Sequence, residues 1–257
     1  MMLKDKVTLI TGSTRGLGLE MAKYFSENCN ALVVVCSRNL ESLEKVKKII
    51  KGTIMTAKLD VTKRDEIEMT IKTIEDKYGR IDILINNAGF EFDKKIWYKK
   101  FHEVELNIFD NIIKVDLMGS IMLSQHVIKN MLKNYKKNKS FNGVIINISS
   151  TPAINGHVEG SPYTIAKAGI MGLTKHIARE YGIYNIRAYT LALGNISTYS
   201  TYNSMDKEHR LLAKKETSLK RWGRPREVAK IAASLASNNF TYATGNTFVI
   251  DGGTIMI

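Results

Sequence analysis

Apolar residues along this chain follow two alternating rhythms. Short β-branched runs, Val7–Thr11, Ala31–Val35, Thr53–Lys58, Asp82–Ile85, Gly143–Ile148, Ile186–Leu191 and Thr247–Ile250, read as seven strands. Longer stretches between them place apolar residues three or four apart, as in Leu17, Met21, Tyr24 and Phe25, or Val228, Ile231, Ala232 and Leu235, and read as helices. Apolar strands alternating with amphipathic helices predict an α/β fold, a doubly wound parallel sheet of seven strands with helices on both faces. No repeat, low-complexity tract or Pro/Gly/Ser linker interrupts the pattern, so residues 1–257 are expected to form a single domain. Three stretches are less regular: Phe90–His102, Lys133–Asn142 and Leu193–Leu219. Open α/β sheets bind ligands outside the carboxyl ends of their strands. Residues 90–102 and 193–219 are therefore the expected substrate walls, and 133–142 reads as a lysine-rich insertion with no assigned chemistry.

Charge widens the choice of partner before motifs narrow it. The 38 Lys and Arg against 25 Asp and Glu leave a formal charge of +13, which attracts phosphates, acidic proteins, anionic lipids and nucleic acid alike. The clusters Lys94-Lys95, Lys99-Lys100 and Lys133 to Lys139 lack the interleaved aromatics of a single-strand groove and read as solvated surface, so no nucleic-acid partner is expected. No apolar run approaches the roughly 18 residues of a membrane span, and the N-terminus runs into a strand without a cleavable leader pattern. A cytoplasmic location without membrane association is expected, and a reducing compartment suits the two cysteines, Cys29 and Cys36. The five histidines show no ligand-pair spacing, so no metal site is expected.

The first strand leads into Gly12-Ser-Thr-Arg-Gly16-Leu-Gly18 and then a helix. Glycines at such a turn let backbone approach a phosphate while the helix N-terminus points at it. Farther along, Tyr163 and Lys167 are four residues apart in a segment that reads as helical from about Pro162 to Tyr181, so they share a face. A phenol titrates near pH ~10 and relays protons slowly at neutral pH. A lysine ammonium at about 4 Å is worth up to about 4 kcal/mol at an effective dielectric near ~20, enough to bring a phenol towards neutrality.

Together, Thr11-Gly-x-x-x-Gly-x-Gly, Asn86-Asn-Ala-Gly89 and Tyr163-x-x-x-Lys167 resemble the short-chain dehydrogenase/reductase family over essentially the whole chain. Asp60-Val61, Ser149-Ser150, Trp222-Gly-Arg-Pro225-Arg-Glu-Val-Ala229 and Val249-Ile-Asp-Gly-Gly253 stand in the matching order. The resemblance implies a Rossmann-type fold and a nicotinamide cofactor on Gly12, Ser13, Thr14, Arg15, Gly16, Leu17 and Gly18. It further implies Asp60 and Val61 beside the adenine, and Asn87, Ala88 and Gly89 along the adenosine ribose. Gly194, Ile196 and Thr198 would complete the set, with Thr198 near the nicotinamide carboxamide. An acidic residue ending the second strand selects NAD in this family. Here that region holds Ser37 and Arg38, with Arg15 in the glycine turn and no Asp or Glu between Ala31 and Asn39, so NADP(H) is expected ahead of NAD.

By the same resemblance Tyr163 is the acid/base, Lys167 its electrostatic partner and ribose binder, and Ser150 the donor to the substrate oxygen. Two departures stand out. Asp116, in Lys114-Val-Asp-Leu-Met-Gly119, occupies the place of an asparagine that helps hold a relay water. An ionised carboxylate accepts but cannot donate, and its charge near Lys167 should alter that lysine's titration, so an altered or slower relay is expected. Leu193-Gly194 replaces the usual Pro-Gly, which should loosen that turn. The closing blocks Lys220-Arg-Trp-Gly-Arg-Pro225 and Gly245 to Gly253 are most similar to 3-oxoacyl-(acyl-carrier-protein) reductases, implying a small carbonyl or alcohol substrate carried on an acyl carrier. Sugar and polyol dehydrogenases share these blocks and remain the alternative. A dinucleotide-binding sensor or assembly protein with little catalysis is the reading from another class. The family's habit implies a homotetramer formed through helices near 102–132 and 162–181 and the last strand.

Overall fold

The computed structural model describes residues 2–256, apart from the side chains of Ser200 and Ser204. Its strands are β1 (Val7–Ile10), β2 (Leu32–Ser37), β3 (Ile54–Lys58), β4 (Ile83–Asn86), β5 (Gly143–Ser150), β6 (Ile186–Leu193) and β7 (Thr247–Ile250). They form one sheet in the order β3-β2-β1-β4-β5-β6-β7, with every neighbouring pair parallel. All seven expected strands are present. β2, β5 and β6 run two residues further than the apolar runs suggested, because Cys36-Ser37, Ser149-Ser150 and Ala192-Leu193 keep their ladder partners.

The helices are α1 (Gly16–Lys23), α2 (Leu40–Ile49), α3 (Arg64–Tyr78), α4 (Lys94–Trp97), α5 (Leu106–Ile113), α6 (Gly119–Lys137), α7 (Pro152–Asn155), α8 (Ser161–Tyr181), α9 (Tyr199–Ser204), α10 (Lys207–Glu216) and α11 (Pro225–Ala236). Alternate strand residues face two separate cores. Ile10, Val33, Val35, Ile85 and Ile146 pack on one side with Met21 and Phe25 from the first helical segment, Leu43 and Val46 of α2, and Val228 and Ala232 of α11. On the other side Leu9, Val34, Leu84 and Ile145 meet Ile67 and Ile74 of α3, Leu123 and Val127 of α6, and Ile177 of α8. Each such aliphatic side chain contributes about 1.5–3 kcal/mol by leaving water, which is why the strands carry no polar face.

Three of the irregular stretches are more ordered than their composition suggested. α6 extends to Lys137, so the first half of the supposed insertion at 133–142 is the end of a core helix whose lysines lie outward. α4 interrupts 90–102, and α9 and α10 build the 193–219 wall, started by Thr198 and Asp206 side chains that accept from Thr201 N and His209 N. Among the described residues, no helix is long and apolar enough to cross a membrane.

Candidate active site

At the centre of the sheet the chain order reverses between β1 and β4, and the segments leaving these strands are tied together. Thr11 Oγ1 accepts from the Asn87 and Ala88 amides at 3.0 and 2.9 Å, and Asn87 Nδ2 donates to Thr11 O and Gly12 O at 2.9 and 3.2 Å. There is no room in this junction for side chains at two of the glycines. A Cβ on Gly12 would lie 3.0 Å from Ala88 Cα, and one on Gly18 only 2.4 Å from Gly12 O. Gly12 and Gly16 also adopt positive φ, +60° and +53°, which L side chains rarely take. No side chain caps the start of α1 and no acidic residue stands in its first turn, so its leading amides and dipole are suited to an anion.

Tyr163 and Lys167 lie one turn apart on α8, with Lys167 Nζ 5.5 Å from the Tyr163 ring centroid. α8 is anchored against β5 by Ser149, whose hydroxyl donates to Lys167 O at 2.8 Å. Ser150, the next residue, is half-buried and donates to Leu193 O across the strand pair at 3.2 Å. The Lys167 side chain is buried, donates to Ile148 O at 3.3 Å and lies 2.9 Å from Asp116 Oδ2. Burial by itself would push the lysine down, but the charge of Asp116 outweighs it, with help from Tyr163, and holds the ammonium above its ordinary range.

Asp116 arrives at this position on a π-helical turn, Lys114–Met118, set between α5 and α6 in one otherwise continuous helix. Such a turn adds a residue to the helical circuit and re-aims side chains. The carboxylate is fully buried, and its Oδ1 accepts from the Phe90 amide at 2.5 Å.

The two expected substrate walls meet above the site. Tyr98, just after α4, packs its ring 6.1 Å from the ring of His209 on α10. Trp97 stands 5.8 Å from the Tyr163 ring and is flanked by Phe92 and His157 at 5.6 Å each. Its indole N–H donates to Glu159 Oε2 at 2.9 Å, and Gly160 lets it pack close, since a Cβ there would lie 2.5 Å from the indole.

Known proteins share both the sequence and the shape. The family described as Enoyl-(Acyl carrier protein) reductase matches residues 12–254. A 3-oxoacyl-[acyl-carrier-protein] reductase of Thermotoga maritima is 34% identical over 258 residues, covering 100% of both chains.

The chain belongs to the short-chain dehydrogenase/reductase family.

Glucose 1-dehydrogenase 2 of Bacillus subtilis is a 30% identical relative, covering 98% of this chain and 95% of its own. In structure, a putative gluconate dehydrogenase from Agrobacterium tumefaciens superposes with a TM-score of 0.89 at 27% identity, covering 99% of this chain and 98% of that one.

Set beside this short-chain dehydrogenase/reductase fold, several expected contacts take a different form. Ser13 is buried, donating to Ile10 O at 2.6 Å and accepting from Cys36 N at 2.9 Å, so its hydroxyl ties β1 to β2 and does not face outward. Leu17 and Ile196 turn their side chains into the core. These three can meet a ligand through their backbone only. Asp60 Oδ1 accepts from Thr62 N and Oγ1 at 2.9 and 2.7 Å. Burial would raise that carboxyl, but the Thr62 bonds, then the charges of Arg38 and Lys63, hold it below its usual range. Val61 is buried against Gly119, whose missing Cβ would lie 2.7 Å from it. Arg38 and Ser37 sit at the exposed end of β2, while Arg15 pairs with Glu91 at 3.1 Å with both side chains about two-thirds exposed.

The turn at Leu193-Gly194 is not loose despite lacking proline. Thr151 N donates to Leu193 O, Gly194 N to Ile250 O and Gly223 N to Asn195 O, each at 3.0 Å, and a Gly194 side chain would clash with Asp251 at 2.5 Å. Thr198 lies against the glycine turn, its Cβ 3.7 Å from where a Gly16 Cβ would stand. Trp97 and the Phe90 amide fall within the expected wall 90–102 without having been singled out, and Glu159 was missed by reading the sequence. The aromatic density of Phe90, Phe92, Trp97 and Tyr98 is the signal that could have singled them out within that wall.

Proposed function

We propose that this protein is an NADP(H)-dependent carbonyl reductase whose substrates are 3-oxoacyl thioesters. The observation that carries the reading is the Tyr163–Lys167 pair on α8, tied to the carboxyl end of β5 where Ser150 stands, together with an uncapped helix N-terminus and a glycine turn with no room for side chains. These residues fit a nicotinamide dinucleotide, with the α1 amides for the pyrophosphate and Lys167, buried but with a proton to spare, for the ribose. Arg38 and Arg15 are the cations for a 2′-phosphate. The exposed Arg15–Glu91 pair is worth at most about 1 kcal/mol and offers little resistance to such a switch. When bound, the cofactor supplies the hydride.

The chain's own groups handle the oxygen. Ser150 would donate to the substrate carbonyl in place of its long bond to Leu193 O, and Tyr163 would deliver the proton as negative charge develops there. Lys167 holds the phenol and ribose in register and stabilises the charge left on the phenol. Acyl substrates are favoured over polyols by the carbon-rich wall of Phe92, Trp97 and Tyr98, in which the one indole N–H is already taken by Glu159. They are also favoured by the likeness to the Thermotoga maritima reductase. The likeness to glucose and gluconate dehydrogenases supports sugar oxidation as the second reading. A homotetramer belongs to the same proposal, with the exposed Leu106, Met118 and Ile165 as its apolar contacts.

NADPH consumption with acetoacetyl-CoA, against aldoses with NADP+, tests both readings. Turnover of the thioester that drops about 10²–10⁴-fold in Tyr163→Phe, with NADPH binding kept, is the expected result. Aldose turnover alone would replace the substrate class, and bound NADPH without turnover of either would point to a binding protein.

A further inference from the structure

Lys167 and Asp116 form a buried ion pair that links three elements of the site. Asp116 comes from the π-helical turn between α5 and α6, Lys167 from α8, and the Phe90 amide from the first residue of the substrate wall. The carboxylate oxygens divide the work, with Oδ1 on the amide at 2.5 Å and Oδ2 facing the ammonium at 2.9 Å. Asp116 Oδ2 takes no well-angled hydrogen bond, so the ion pair with Lys167 is its interaction on that side. Other groups facing the ammonium are the Tyr163 phenol from its own helix and the Ile148 carbonyl from β5. Among the described residues neither member has a second ion-pair partner.

A lysine buried without a counter-charge loses its proton easily, whereas one buried against a carboxylate keeps it. We propose that Asp116 is a positioning residue that keeps Lys167 charged in its buried place and ties it to the substrate wall, so that the pair sets the alkaline limit of turnover. This rests on the reductase reading for its catalytic consequence, but the state of Lys167 is independent of it. The sign follows from the geometry: with Asp116 present the ammonium survives to higher pH, and without it burial prevails. Loss of the ammonium at lower pH carries the alkaline limb of reduction down with it.

The test uses the full chain with carbon-13-labelled lysine, the Lys167 resonance being assigned by its loss in Lys167→Arg. In the wild type, Lys167 should titrate above the surface lysines; titration with or below them overturns the proposal without recourse to any variant. In Asp116→Asn, which keeps the shape and an acceptor for Phe90 N, the Lys167 midpoint should fall by about one pH unit or more. The high-pH limb of kcat/KM for NADPH-dependent acetoacetyl-CoA reduction should move down with it. A limb that stays put while Lys167 shifts refutes the pair as the alkaline limit. Absence of turnover in the wild type would instead discard the reductase reading, and the lysine titration would still decide whether Asp116 holds the charge.

Discussion

One methyl group, added at two different glycines, should change stability in opposite directions. Gly18 and Gly172 both lie inside helices, α1 and α8, where replacing glycine by alanine favours the helix by up to about 1 kcal/mol. At Gly172 nothing lies within 4 Å of the added Cβ, so the helical gain is all that remains. At Gly18 the Cβ would be 2.4 Å from Gly12 O, 2.5 Å from Asn87 Nδ2 and 2.9 Å from Ser13 Cα. Two of those three neighbours are backbone, and the third is the amide that ties the glycine turn to the exit of β4, so none can swing aside cheaply. Overpacking of this kind costs about 1–3 kcal/mol, and loss of the Asn87 bonds about 1 kcal/mol more. The cost exceeds the helical gain, leaving Gly18→Ala destabilised by about 2 kcal/mol, or about 4–8 °C in Tm for a chain of this size. Gly172→Ala should melt up to about 2–4 °C higher than the wild type. Thermal unfolding of the two variants beside the wild type reads both signs. A Gly18→Ala protein as stable as the wild type would refute the claim that close packing sets the glycine turn.

Two further outcomes can be checked directly. Arg38→Ala should weaken NADPH binding by about 10-fold or more while leaving NADH binding nearly unchanged, because a charge-assisted phosphate contact is worth about 1.5–3 kcal/mol; fluorescence titration with both nucleotides decides it, and equal losses would remove Arg38 from cofactor choice. Glu227 is held down to about 2 by the Arg221 guanidinium, then by the Arg224 amide. Its pairing stabilises the fold above the ordinary glutamate range and is lost as pH falls through that range towards about 2. The carboxylate is 41% exposed, so screening limits the gain to under about 1 kcal/mol. Glu227→Gln should therefore reduce stability near neutrality but narrow the gap to the wild type in acid, as denaturant melts at several pH values would show.

Much of the fold could be read locally. Runs such as Ala31–Val35 and Gly143–Ile148 are apolar on both sides because helices cover both faces of the sheet, and a one-dimensional pattern carries that information directly. Glycine spacing after β1 and the four-residue step from Tyr163 to Lys167 were equally visible, since a turn and a helix fix such neighbours without help from distant residues. The irregular segments were harder. Lys133–Asn142 looked like an insertion because lysines dominate it, yet Met131 and the turns before it anchor a helix that simply continues to Lys137. Ser13 shows what only the sheet could add. The resemblance named it among the cofactor-binding residues without saying where its hydroxyl goes, and Cys36 N, distant in sequence and adjacent in the sheet, donates to it.

From sequence alone, then, came the strands, the longer helices and the glycine turn, all consequences of short-range periodicity and steric rules, while the roles proposed for Tyr163 and Lys167 came from the family resemblance. Tertiary structure decided where the charges went. The resemblance already put the charge of Asp116 near Lys167, but their direct contact and the hold on Phe90 depend on a π-helical turn that rotates Asp116 inward and on three segments meeting behind the sheet's edge. The Trp97–Glu159–Gly160 contact likewise joins the end of α4 to the segment before α8, 62 positions further along the chain. Electrostatic and packing energies depend on separation in space, which chain order does not determine until the sheet has brought its loops together.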